Sequence, residues 1–175
     1  MSADDWREHP AIAMFTFVID NAPYSEEAQA SEYKLGMLYK EMGHNKEAIE
    51  TFQDLIEKYA DSPWREPAQY QLALSSAEAA PAAEYDQELS RQAKEGLAVL
   101  AEKHSDQELA ERARKELTQI QLKEAEKDFS IACFYDRQGD TKSAQIYYRH
   151  VVDTYTGTDF ARQAAERLHE MEAGS

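Results

Sequence analysis

The chain predicts an all-α fold, a solenoid of helical hairpins, and two recurring phrases predict it. In the first, a small residue is followed by large apolar residues four and seven positions on, and by a breaker or small polar residue five further. It reads Ala11, Phe15, Val18, Pro23; Ala48, Phe52, Leu55, Ala60; Ala93, Leu97, Leu100, Ser105; and Ala144, Tyr148, Val151, Thr156. Spacings of four and three set side chains on one stripe of an α-helix. The fourth position falls where that helix should stop. In the second phrase a small residue comes eight positions later (Ser31, Ala68, Ala113, Ala164) and a leucine twelve later (Leu35, Leu72, Leu117, Leu168).

Taken in order, the first element is a helix over Ala11–Asn21. It reads as the second helix of a repeat, so a preceding helix and a longer parent protein are expected. One face of a solenoid opened in mid-repeat is uncovered. The clearest unit spans 28–62, with Leu35, Gly36 and Tyr39 before Gly43, then Ala48, Phe52 and Leu55. Its best partner spans 125–158, with Ile131, Ala132 and Tyr135 before Gly139, then Ala144, Tyr148 and Val151; each position is offset by 96 residues. The two glycines fall between paired helices, where a left-handed C-cap favours glycine. Asn45 and Asp140 follow them as expected N-caps.

Departures from the period place the remaining elements. From Ala73 to Ala93 there are 20 residues, against 12 from Gly36 to Ala48, and the excess coincides with the Ala-Pro-rich stretch Ala77–Gln87, an expected long loop. From Ser105 to Ala144 there are 39, against 25 from Pro23 to Ala48. The extra residues amount to about four helical turns. No Gly or Pro occurs between Asp106 and Gln138, and Ser105 with Glu108 forms a capping-box pattern. One helix of ~32 residues, ~48 Å long, is expected near 107–138, a rigid spine serving two hairpins. The expected domain is a single solenoid over 1–175 of about four hairpins, with loose ends at 1–10 and 172–175.

Composition narrows the function. With 34 acidic against 19 basic residues and a net charge of −15, the chain lacks the cationic surface that nucleic acid requires. No apolar run approaches the ~18–20 residues of a membrane helix. The single Cys133 excludes an internal disulfide. The amino terminus carries neither a secretion signal nor a lipid-attachment cysteine. The glycines are scattered, so there is no phosphate-cradling loop, and no nucleophile elbow is present. Glu166 with His169, His44 with Glu47, and His150 with Asp153 are each too few ligands for a metal and read as exposed helix residues. No catalytic residue, cofactor or metal is expected, and a helical enzyme or metal carrier is the remote alternative.

The 34-residue helix-turn-helix spacing resembles the tetratricopeptide repeat over residues 11–171. Glu32 and Asp128 stand where that family has a tryptophan, and its closing proline survives only as Pro23. In such arrays the first helix of each pair lines a concave groove. The positions facing it here would be Tyr33, Tyr70 and Phe129, with Met37, Leu74 and Cys133 one turn on. A row of aromatics suits peptide binding by apolar burial; the competing reading is packing between repeats.

From Glu108 onward the chain resembles the BamD family of tetratricopeptide lipoproteins of the outer-membrane β-barrel assembly machinery. The likeness rests on Leu122-Lys-Glu-Ala-Glu-Lys-Asp-Phe-Ser-Ile-Ala-Cys-Phe-Tyr135, Gly139, Ala144 and Val151-Val-Asp-Thr-Tyr155. Ile56-Glu-Lys-Tyr-Ala-Asp-Ser-Pro63 and Glu102-Lys-His-Ser-Asp106 look like that family's Tyr-Pro-x-Ser ends. The family usually has Asn-Arg where Ile146-Tyr147 stands and Pro where Thr156 stands. A weaker likeness to the periplasmic CpoB family of the Tol-Pal system lies around Ala68-Gln-Tyr-Gln-Leu72. The resemblance implies a non-enzymatic scaffold on the periplasmic face of the outer membrane. Its partners would be β-barrel assembly subunits or unfolded outer-membrane proteins, and its only membrane tie a lipid anchor absent from this chain. A generic tetratricopeptide adaptor, cytoplasmic or CpoB-like, is the alternative.

Overall fold

Eight helices follow one another along the computed structural model, which describes residues 9–79, 86–103 and 106–173. They are α1 (Pro10–Asn21), α2 (Glu26–Glu41), α3 (Asn45–Lys58), α4 (Arg65–Ala79), α5 (Asp86–Glu102), α6 (Gln107–Arg137), α7 (Thr141–Thr154) and α8 (Asp159–Ala173). No strand occurs among the described residues. Neighbouring helices pack in sequence, α1 on α2, α2 on α3, α3 on α4, α4 on α5 and α7 on α8, and α2 also touches α4, the connectivity of a tetratricopeptide-like solenoid.

The predicted boundaries are produced by local chemistry. The Ser25 hydroxyl caps α2 by accepting from the Ala28 amide at 3.0 Å. That helix ends at Gly43, whose φ of 77° is strained for any residue with a Cβ. The Gly43 amide donates to the Lys40 carbonyl and the His44 amide to the Tyr39 carbonyl, each at 2.9 Å, a Schellman turn that satisfies two orphan acceptors. Gly139 repeats the device, with φ 77° and bonds to Asp136 and Tyr135. Asp140 then caps α7 through the Ser143 amide, as expected. Asn45 does not cap α3. His44 holds that place with no side-chain capping bond, and Asn45 is the first helical residue, its Oδ1 buried without a donor. At α6 the Asp106 carboxylate accepts from the Leu109 amide at 3.0 Å, while Ser105 lies outside the described residues.

Helix α6 runs unbroken for 31 residues, as the 14-residue excess predicts. The expected long loop is shorter than its composition suggested. Ala77–Ala79 belong to α4 and Asp86–Gln87 to α5, leaving 80–85 outside the described residues. The expected loose ends are likewise trimmed, because His9 caps α1, Pro10 opens it, and Glu172 and Ala173 complete α8. Residues 1–8 and 174–175 lie outside the described residues.

The chain forms two compact units, Met1–Arg114 and Lys115–Ser175, with the boundary inside α6. In the first, Ala48, Phe52, Leu55, Tyr59 and Ala68 form a buried cluster flanked by Tyr33, Met37, Tyr39, Ile56, Trp64 and Leu72. In the second, Ala144, Tyr148, Val151 and Ala164 take the same places. Phe129, Cys133, Tyr135, Val152, Tyr155, Phe160 and Leu168 surround them. Every one of these pairs is offset by 96 residues. Ala48 and Ala144 are 0% exposed, the close helix crossings that the repeat register requires. At Gly36 the approach is closer still, since a Cβ there would stand 2.6 Å from the Phe52 ring.

Candidate functional site

Within the first unit, α2, α4 and the opening turns of α6 enclose a hollow of about 170 Å³. Tyr33 comes from α2, Pro67, Tyr70 and Gln71 from α4, and Asp106, Glu108, Leu109 and Arg112 from the start of α6. On α4 these residues form a stripe, because positions 67, 70, 71 and 74 share one face at helical spacing. Leu74, half-buried, continues it.

Each predicted groove residue has a definite place. Tyr33 stacks on Trp64 with ring centroids 4.8 Å apart and tilts against Phe52 at 5.9 Å. Burial raises the pKa of its hydroxyl, opposed by a hydrogen bond from Gln71 and by the positive charge of Arg112. Tyr70 is 3% exposed, so it is a wall of the hollow rather than the open groove position that the aromatic row suggests. Its ring carries the Arg112 guanidinium 4.8 Å from the centroid, a cation–π contact. Met37 packs against the core of the first unit and Cys133 against that of the second. Phe129, also in the second unit, tilts against Tyr148 and Phe160, each at 5.7 Å. The ring trio Tyr33, Phe52, Trp64 therefore recurs as Phe129, Tyr148, Phe160. Tyr33 and Phe129 pack between helices and are partly exposed, whereas Phe52, Tyr148 and Tyr70 are buried.

Sequence reasoning passed over Arg112 and Gln71, which together with Asp106 and Glu108 give the hollow its polarity. Arg112, immediately before the small position Ala113, carries no periodic signal of its own, whereas its seat over Tyr70 depends on α6 folding back beside α4. The hollow thus joins an apolar wall (Pro67, Tyr70, Leu109) to the donors of Arg112 and the amide of Gln71. Such a cavity has room for one side chain or a chain end, and the guanidinium can bond a carboxylate or carbonyl.

The carboxylates replacing the tetratricopeptide tryptophan also acquire partners. Asp128 accepts from the Tyr155 hydroxyl at 2.7 Å and lies 3.2 Å from His150 Nε2, so His150 faces Asp128 rather than Asp153. Glu32, buried, pairs with Lys58 at 3.0 Å. The Tyr59 hydroxyl, counterpart of Tyr155, donates to the Pro23 carbonyl. Burial first and the Glu32 charge second raise its pKa. Tyr147, where the BamD family usually has arginine, stacks on Tyr135 with centroids 5.3 Å apart and an interplanar angle of 12°. Gly157, with φ 85°, turns the chain after Thr156, where that family usually has proline.

A sequence model of the YfiO family, described as outer membrane lipoprotein, matches residues 3–173. The chain belongs to this family. The match spans both units and bears out the resemblance to BamD. No curated protein matches the chain. Within the matched length the 96-residue correspondence pairs core positions 33–72 with 129–168. No helix among the described residues is long and apolar enough to cross a membrane.

Proposed function

We propose that this YfiO-family chain is a non-enzymatic protein-binding scaffold of the bacterial envelope, acting in assembly of outer-membrane β-barrel proteins. Family membership over residues 3–173 carries the reading. The open hollow between α2, α4 and α6 supports it by offering a surface on which another polypeptide can be held. Its partners are assembly subunits or unfolded outer-membrane proteins, met at the periplasmic face of the outer membrane. Tyr33, Met37, Tyr70 and Leu74, with Phe129 and Cys133 in the second unit, remain the proposed contact positions, and Arg112 joins them. The net charge of −15 slows encounter with acidic partners and speeds encounter with basic ones, an effect that salt weakens.

The test is to measure binding of urea-unfolded outer-membrane proteins and of purified assembly subunits to the wild type and to Arg112→Ala. Arg112 is exposed, so the fold should persist. A loss of about tenfold or more is expected for the partner that enters the hollow, equivalent to ~1.4 kcal/mol. Unchanged affinity for every partner, in protein that still shows its helical circular dichroism, removes the hollow from the proposal. No binding by wild type to any of them removes the assembly role.

A further inference from the structure

Helix α4 separates two hollows. Residues 67, 70 and 71 line the one already described, whereas Gln69, Leu72, Ala73 and Ser76, a second stripe at helical spacing, line another on the opposite side of the same helix. This second hollow, about 390 Å³, lies between α3, α4 and α5. Its size falls in the range of ligand sites, ~300–1,000 Å³. Ile56, Leu72, Ala73 and Val99 give it an apolar floor.

Two of its lining residues on α5 depart from the repeat pattern. Gly96 lacks a side chain where α3 has Thr51 and α7 has Tyr147 in the repeat alignment, and an ideal Cβ there would stand 3.5 Å from the Ala73 methyl. Val99 is 56% exposed where those helices carry Asp54 and His150. An aliphatic residue left in water beside a vacancy is a surface that gains from being covered. Two further features specify what covers it. Among the ten lining residues the one charged group is Glu95, and the first unit holds 23 acidic against 11 basic residues, a net −12 of the chain's −15. Glu95 pairs with Arg91 at 2.7 Å, but both side chains are more than half exposed, so an incoming cation can displace that bond. The side-chain oxygen of Gln69 is buried without a donor, and an amide side chain offers both a donor and an acceptor to a peptide backbone.

We propose that this hollow docks an extended segment of a partner protein, seating one branched aliphatic side chain on Leu72, Ala73 and Val99 with a neighbouring lysine or arginine against Glu95. The site is separate from the hollow of the proposed function and does not depend on that reading.

The probes are capped peptides in a Gly-Ser frame with Lys-Leu-Lys, Glu-Leu-Glu or Lys-Ser-Lys at the centre. They are titrated into isotope-labelled full-length chain and followed by NMR. Lys-Leu-Lys should shift the Gly96 amide and the Ala73 and Val99 methyls in a saturable way, with Kd of about 1 mM or tighter. The other two peptides should bind about tenfold more weakly or worse. Val99→Ser and Glu95→Gln, both at exposed positions, should each weaken Lys-Leu-Lys several-fold, while Arg112→Ala leaves it unchanged. Four results overturn the proposal: no saturable shift up to about 10 mM; equal binding by either control peptide; shifts confined to Tyr33, Tyr70 and Arg112; or shifts that follow protein concentration alone, which would make the occupant a second copy of this chain.

Discussion

At the scale of single residues, two positions carry clear expectations. Gly36 sits where α2 and α3 cross, and Gly36→Ala drives a methyl to within 2.6 Å of the Phe52 ring. Overpacking of this kind destabilises by about 1–3 kcal/mol, and urea unfolding would read the loss; a neutral alanine would mean that Phe52 has space to retreat. The second position is Asp136. Arg167 grips its carboxylate through two bonds, of 2.7 and 3.1 Å, and the Tyr148 hydroxyl adds a third at 3.2 Å. The Arg167 hydrogen bond, ahead of the opposing effect of burial, holds the Asp136 pKa below its ordinary value. A carboxylate with a depressed folded-state pKa contributes stability above its unfolded value, near pH 4, and loses it as pH falls through the folded one. The stability gap between wild type and Asp136→Asn should therefore be constant at neutral pH and shrink below about pH 4. A gap that stays the same at all pH values would show that the charge contributes nothing. Both side chains are partly exposed, so the effect is modest.

At the scale of the helix, most of the architecture was legible because period and punctuation agree. The small-large-large phrase marked the buried stripe of α3, α5 and α7, whose members Phe52, Leu97 and Val151 are buried. The length of α6 followed from counting alone. Glu116→Pro near its middle should remove a backbone bond and clash with the preceding turn, costing ~3 kcal/mol or more. Loss of helical circular dichroism and an earlier urea midpoint would register it; an undisturbed protein would mean that α6 tolerates a break there. The misreadings have physical causes. Asn45 looked like a cap because its residue type favours one, yet the Schellman turn at Gly43 assigns that place to the next residue, His44, just as Gly139 assigns it to Asp140. The 96-residue offset pairs Asp140 with His44 and already contained the correction. Ala-Pro richness between Ala77 and Gln87 suggested a loop, but alanine is a strong helix former and extends α4 to Ala79.

At the scale of the whole chain, the candidate site was less legible than the fold. A hollow is made by side chains that are small or missing and by helices distant in sequence, and neither leaves a periodic trace; Tyr70 lines the hollow yet is 3% exposed. The packing is strongly local: among the described residues α1 contacts α2 and no other helix, whereas α3 contacts both α2 and α4. Amide exchange should accordingly be faster in α1 than in α3. Protection in α1 equal to that of α3 would contradict the pattern. The correspondence between the two cores has one more consequence. Where the second repeat runs Cys133, Asp136, Tyr148 and Arg167, the first runs Met37, Lys40, Phe52 and Gln71. The Lys40–Gln71 bond, at 3.1 Å, occupies the seat of the Asp136–Arg167 pair. Moved as a set, the four residues would carry every donor to an acceptor; moved singly, Lys40→Asp would set a carboxylate against the Gln71 oxygen and near Glu78. What is exchangeable between the repeats is the quartet, and a chimaera that respects it inherits a finished joint.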